Sequence, residues 1–168
     1  DGGRSMTTRI VRVEVVGVEV PLVGAGFKNA YITKTKQRSA VVRITDQDGK
    51  VGLGNIDPSP GYSVETIEQS LNALADTLGP AALGQEAGNI HCLTAHLDQQ
   101  LDHFLDAKAA IEMALWDALG QAKGKPVYEL LGGAKRMRVP ALRLIGTGST
   151  EGDIAETQKR LAEGYVAI

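Results

Sequence analysis

Within residues 106–133, DAKAAIEMALWDALGQAKGKPVYELLGG, apolar side chains at Ile111, Leu115, Ala118 and Leu119 recur at helical spacing. Ala107, Ala110 and Ala114 extend the same stripe. A face so rich in small side chains predicts a helix lying close against a neighbour. Gly120 weakens the pattern, and Gly124 with Pro126 ends it. Pro126 is placed as the first residue of a short helix over 127–131, which Gly132 and Gly133 stop.

Upstream, the period changes from helical to alternating. Residues 10–20, IVRVEVVGVEV, read as a strand with an irregularity near Gly17, and Pro21 closes it. Residues 22–36 show no sustained period. Two glycines, an Asn, two aromatics and two lysines within 23–34 suit contact with a ligand, and equally suit an ordinary long hairpin connection. Residues 38–45 predict a second strand, 46–49 (DQDG) a turn and 51–54 the start of a third strand. Residues 55–62 follow as a polar loop stiffened by Pro58 and Pro60. Ser63 as N-cap and Glu65 in the first turn then open a helix on Val64, Ile67, Leu71, Leu74 and Leu78, with Gly79-Pro80 as its stop. A connection over 83–89 leads to a helix over 90–105 on Leu93, Leu97, Leu101 and Phe104. The fold class is therefore α+β: a three-stranded antiparallel sheet followed by helices, with the helical layer on one side.

After Gly133 the character shifts again. Residues 139–145 predict a strand and 146–150 (GTGST) a loop. A helix over 151–163 on Ile154, Thr157 and Leu161 follows, stopped by Gly164, and 165–168 begin another strand. This β-loop-α-β order is the opening unit of a parallel α/β architecture. Alone it leaves its sheet edges uncovered, so the pattern predicts further chain beyond residue 168. Residues 1–5 read as a vector-derived tail ahead of Met6.

Composition changes this picture little. With 18 Lys and Arg against 20 Asp and Glu, nothing favours a nucleic acid or an anionic membrane as partner. No apolar run approaches the roughly 20 residues of a membrane span, and no signal segment opens the chain, so the expected location is cytoplasmic. The single cysteine, Cys92, excludes an intrachain disulfide and reads as buried filler. His91, His96 and His103 lack the i,i+4 spacing of a helical zinc motif, so no metal site is expected among them. Glu112 and Asp117 read as solvent-facing or capping residues rather than a catalytic pair. The GTGST loop, lying after a strand and before a helix, offers Thr147 as a ligand contact. Neither a nucleophilic triad nor a complete dinucleotide fingerprint is present.

The stretch AKAAIEMALWDALGQAKGKPVYELLGG, followed by RMRVPALRLIG, resembles the enolase superfamily, specifically its mandelate racemase/muconate lactonizing enzyme branch. The residues that carry the resemblance are Ala114, Trp116, Asp117, Gly124, Pro126, Leu130, Leu131, Gly132 and Gly133, and it extends over the chain from Met6. It implies an N-terminal capping domain over 6–134 and the start of a (β/α) TIM-like barrel over 135–168. The site would lie between them, at the C-terminal ends of the barrel strands. It also implies abstraction of the proton α to a carboxylate by a lysine or histidine, with Mg²⁺ stabilising the enediolate. In the family the first lysine motif ends the second barrel strand, so the base and the metal ligands are expected downstream of Ile168. By that reading no catalytic or metal residue lies in this chain, which alone is inactive.

What the chain would contribute is specificity. Phe27, Lys28, Asn29 and Tyr31 match a first capping loop, and Asn55, Ile56 and Asp57 a second one after Gly52-Leu53-Gly54. Phe27 and Tyr31 would exclude water and Lys28 would meet a substrate carboxylate, unless the two aromatics merely anchor the loop. The run from Pro58 to Thr66 favours a racemase, epimerase or cycloisomerase over an acid or acid-sugar dehydratase of the same superfamily. A non-catalytic α+β binding or assembly module is the alternative of another class. A small-molecule carboxylate substrate and a homo-oligomer are the expected partners.

Overall fold

The computed structural model describes residues 8–23, 27–28 and 32–168. Its strands, in chain order, are β1 (Ile10–Pro21), β2 (Phe27–Lys28), β3 (Thr33–Lys34), β4 (Lys36–Asp46) and β5 (Val51–Ile56). β1, β4 and β5 form an antiparallel sheet with β4 in the centre, as the alternation predicts, while β2 and β3 make a separate two-stranded ribbon. The connection read as aperiodic thus carries a short hairpin, in which Phe27 pairs with Lys34 and Lys28 with Thr33. Asn29 and Tyr31 lie outside the described residues.

Two details of the sheet correct the sequence reading. The ladder stays regular at Gly17, which faces Ala40, and slips instead between Ile10 and Arg12. Gly17 serves packing: an added Cβ would stand 3.1 Å from Leu71 Cδ1, so the missing side chain makes room for that leucine. β5 also continues two residues past Gly54, since Asn55 and Ile56 pair with Val41 and Ala40. Ile56 is a core residue.

The helices start and stop at other residues than expected. α1 (Ile67–Ala73) is capped by Thr66, not Ser63: Gln69 N donates to Thr66 Oγ1 at 3.2 Å and Thr66 N to Gln69 Oε1 at 2.9 Å. This reciprocal pair outcompetes Ser63 because it satisfies two orphan donors at once. Val64, expected on the buried face, is 99% exposed. Thr66→Ala is expected to cost about 1 kcal/mol, read as a lower urea midpoint at unchanged slope. Past α1 the helix widens into a π turn (Leu74–Leu78), in which Gly79 N bonds Leu74 O, and continues as α2 (Gly79–Ala82). Gly79-Pro80 is therefore inside the helical run. A proline at the head of α2 needs no donor, and the chain leaves the helix only at Leu83 and Gly84.

α3 (Ile90–Gln100) ends earlier than predicted, and left-handed His103 and Phe104 (φ 63° and 50°) turn the chain into α4 (Leu105–Lys123). Cys92 is exposed, not filler. It precedes the buried Leu93 by one residue, and one residue turns a helix by about 100°. α4 buries Ala107, Ala110, Ile111, Ala114, Leu115 and Ala118 and lies across β5 and β4, the close approach that its small residues predict. Gly52 and Gly54 face it from the sheet, with the helix backbone directly above them. Gly124 (φ 61°) ends α4, and Pro126 caps α5 (Val127–Leu130) rather than leading it. The core is closed by Ile10, Val42, Ile44, Leu74, Leu78, Leu97, Ile111 and Leu115.

Beyond Gly133 the two predicted strands reduce to one parallel bridge, Leu142 to Ala167, with Arg143 N donating to Ala167 O at 3.1 Å. α6 (Thr150–Ala162) forms, yet Ile154 and Leu161 remain 54% and 55% exposed. A single bridge offers no sheet face for them to cover.

Candidate functional site

Two of the segments singled out for ligand contact, the β2–β3 ribbon and the loop after β5, meet at one end of the sheet. Pro58, Pro60 and a left-handed Gly61 (φ 85°) fold the segment after β5 into a tight turn. Tyr62 N and Ser63 N both donate to Ser59 O, at 3.0 and 2.9 Å, and Ser59 N donates back to Ser63 Oγ at 3.3 Å. Ser63 thus closes this loop instead of capping a helix. The ribbon and the loop meet through Lys34, whose Nζ donates to Ser59 Oγ at 3.4 Å and to Gln37 Oε1. The same ammonium stands 5.4 Å from the centroid of the Phe27 ring, within cation–π range.

Between them lies a cleft of about 410 Å³ lined by Lys34, Gln37, Pro58, Ser59, Ile67 and Glu68, among others. Ser63, Val64 and Glu65 form a wall shared with a second hollow of about 400 Å³, which reaches to His103 and Leu105. Lys36 and Arg38 also border the first cleft, but both are matched: Lys36 to Glu19 at 2.5 Å, Arg38 to Glu68. The Arg38 guanidinium donating to Glu68 holds that carboxyl below its ordinary value, and the Lys36 ammonium does the same for Glu19.

Glu65 fixes the shared wall. Its carboxylate accepts from Asp106 N at 2.8 Å, from Ala107 N at 3.2 Å and from Ser70 Oγ at 2.6 Å. It therefore caps α4, not the helix it was expected to open, and it does so where Phe104 offers no side-chain cap. Asp117, read as solvent-facing or capping, accepts from Leu53 N at 2.8 Å and so covers a donor on β5.

Of the predicted contacts, Phe27 is partly exposed in β2 and Lys28 pairs beside it. Asn55 is exposed, with Nδ2 donating to Asp57 Oδ1 at 3.1 Å, whereas Ile56 turns into the core. Thr147 lies far along the chain at the start of α6. There its N–H and its hydroxyl both donate to Asp153 Oδ1 at 2.8 Å, lowering the Asp153 carboxyl from its ordinary value. Lys34, Ser59 and Glu65 are the residues whose roles sequence reasoning missed. Only the T-x-x-Q box at 66–69, which moves the helix start past Glu65, signalled any of them.

Among the described residues no group of three or more His, Cys, Asp or Glu side chains is placed to hold a metal ion. Several carboxylates are committed to backbone donors instead: Asp46 to Asp48 and Lys50, Glu65 to α4, Asp117 to β5 and Asp153 to Thr147. These residues do not fit a Mg²⁺ site. No helix of the described residues is long and apolar enough to cross a membrane.

Residues 10–132 match the family description "Mandelate racemase / muconate lactonizing enzyme, N-terminal domain". The chain is 35% identical over 156 residues to muconate cycloisomerase 1-1 of Acinetobacter lwoffii, covering 90% of this chain and 40% of that one. It is 31% identical over 160 residues to L-Ala-D/L-Glu epimerase of Bacillus subtilis strain 168, covering 95% and 43%. The crystal structure of N-succinyl Arg/Lys racemase from Bacillus cereus ATCC 14579 superposes with a TM-score of 0.89 at 26% identity, over 94% of this chain and 42% of that one. The chain thus spans about two fifths of the length of the relatives it matches.

Proposed function

The chain belongs to the mandelate racemase/muconate lactonizing enzyme family, and from that membership we propose that it is the capping part of an α-proton-abstracting enzyme. The reaction would be racemisation, epimerisation or cycloisomerisation of a small carboxylate. Residues 6–134 form the cap and 135–168 open the barrel in this reading, with the base, a lysine or histidine, and the carboxylate ligands of Mg²⁺ beyond residue 168. When bound there, Mg²⁺ would neutralise the charge of the enediolate. The observation that carries the reading is the family match over 10–132, with a cycloisomerase and an epimerase both above 30% identity.

The chain's own residues then bind, orient and exclude water. Phe27 and the apolar wall of the cleft shield the reacting carbon, and Lys28, Asn29, Tyr31, Asn55 and Asp57 are the polar and aromatic groups available for contact. The test is α-proton exchange into deuterated water by the complete gene product with Mg²⁺, across a panel of carboxylates and N-acyl amino acids. Exchange that vanishes on chelation supports the reading, and the 168-residue chain alone should give none. A complete protein inert to the whole panel, or exchange by the 168-residue chain, would overturn it.

A further inference from the structure

We propose that Lys34 reads a second negative charge on the substrate, remote from the reacting carbon, so that the preferred substrates are dicarboxylates. The proposal rests on the proton-abstraction reading above. It begins from a charge account of the cleft. Lys36 is matched by Glu19 and Arg38 by Glu68, and Glu65 is committed to the backbone of α4. Lys34 takes part in no ion pair among the described residues. The neighbouring residues 24–26 and 29–31 contain no Asp or Glu by sequence. Its two hydrogen-bond partners, Gln37 Oε1 and Ser59 Oγ, are neutral. An ammonium has three donors, so one donor and a full unit of charge remain for a ligand.

The surroundings suit a carboxylate. Ile32, Pro58, Pro60 and Ile67 give the cleft apolar walls, and the Phe27 ring lies beside the ammonium, so a salt link formed there is partly shielded from water. Gln37 and Ser59 hold Nζ in place, which lowers the ordering cost of a flexible side chain on binding. Ser59 belongs to the loop after β5 and Phe27 to the ribbon. A ligand anion at Lys34 would therefore touch both loops at once.

The experiment uses the complete gene product and matched substrate pairs: N-succinyl amino acids and their N-succinamoyl counterparts, which replace the distal carboxylate by a carboxamide of the same shape. Lys34→Met should lower kcat/KM for the succinyl member roughly ten- to a hundredfold more than for the succinamoyl member, mainly through KM, while loss of its contacts to Ser59 and Gln37 lowers both members by the same smaller factor. Lys34→Arg should restore most of the preference. Lys34→Gln replaces Lys34→Met if that variant does not fold, and is held to the same ratio. Equal losses on both members would show that Lys34 only latches the loops and would overturn the proposal. An unchanged ratio in Lys34→Met with a collapsed ratio in Lys28→Met would overturn it in favour of Lys28. A wild-type protein that exchanges no α-proton removes the functional reading itself, and this inference with it. Exchange without discrimination between the paired substrates removes this inference alone.

Discussion

Gly54→Val is expected to abolish the folded cap, with a loss of about 4 kcal/mol or more. A Cβ at Gly54 would overlap the Ala110 carbonyl oxygen and stand 2.9 Å from Ala110 C and 3.0 Å from Ala114 N. At Gly52 it would overlap the Ala114 oxygen and come within 2.8 Å of Ala118 N and Cβ. These are mostly backbone atoms in the middle of a 19-residue helix, so no rotamer change relieves the overlap. α4 would have to lift from the sheet, and Ile111, Leu115 and their partners in the core would lose contact. Folded domains hold only about 5–15 kcal/mol in reserve. Urea unfolding of wild type and variant decides the matter, with Leu53→Val as the control. Leu53 sits between the two glycines but is over half exposed, so that change should move stability by less than about 0.5 kcal/mol. A Gly54→Val protein with an unchanged midpoint would show that the helix does not depend on this close approach.

The same geometry shows what sequence can and cannot reveal. The alanine stripe of α4 and the alternation of β1, β4 and β5 were legible because each repeats a local period, and a repeated period leaves few alternative ways to bury the same side chains. Helix ends were less legible because several residues compete for one role. Ser63 and Thr66 both suit an N-cap, and the choice falls to Thr66 because Gln69 can reciprocate. Gly79-Pro80 looked like a stop because the wider π turn that absorbs it has no sequence period of its own. The contacts of Lys34 and Glu65 were invisible for another reason. Their partners stand 25 residues away at Ser59 and 41 and 42 residues away at Asp106 and Ala107, and no local pattern reports such pairs. Phe27 was legible as an aromatic in an aperiodic stretch; its exposure and its pairing with Lys34 were not.

Glu65→Ala should cost about 2–4 kcal/mol, because one carboxylate does three jobs. It supplies the acceptor for the first backbone donors of α4, at a helix start where Phe104 is left-handed and has no capping side chain. It places negative charge at the positive end of the helix dipole, worth a few tenths to about 1 kcal/mol. It also accepts from Ser70, which is fully buried and would otherwise hold an unsatisfied hydroxyl. Glu65→Gln keeps one acceptor oxygen but turns an amide donor toward backbone N–H groups, so it should recover only part of the loss. Ser70→Ala in the Glu65→Ala background removes the stranded hydroxyl and should return part of the stability, a coupling that a double-mutant cycle reads directly. The functional consequence differs from that of Lys34. Glu65 holds the wall that carries Ser63 and Val64, so in the complete protein its removal should lower kcat/KM for succinyl and succinamoyl substrates alike, without changing their ratio. Wild-type stability in Glu65→Ala would show that α4 finds its cap elsewhere. A ratio that shifts with Glu65 as it does with Lys34 would mean that the wall itself senses charge, and that the two residues cannot be assigned separate tasks.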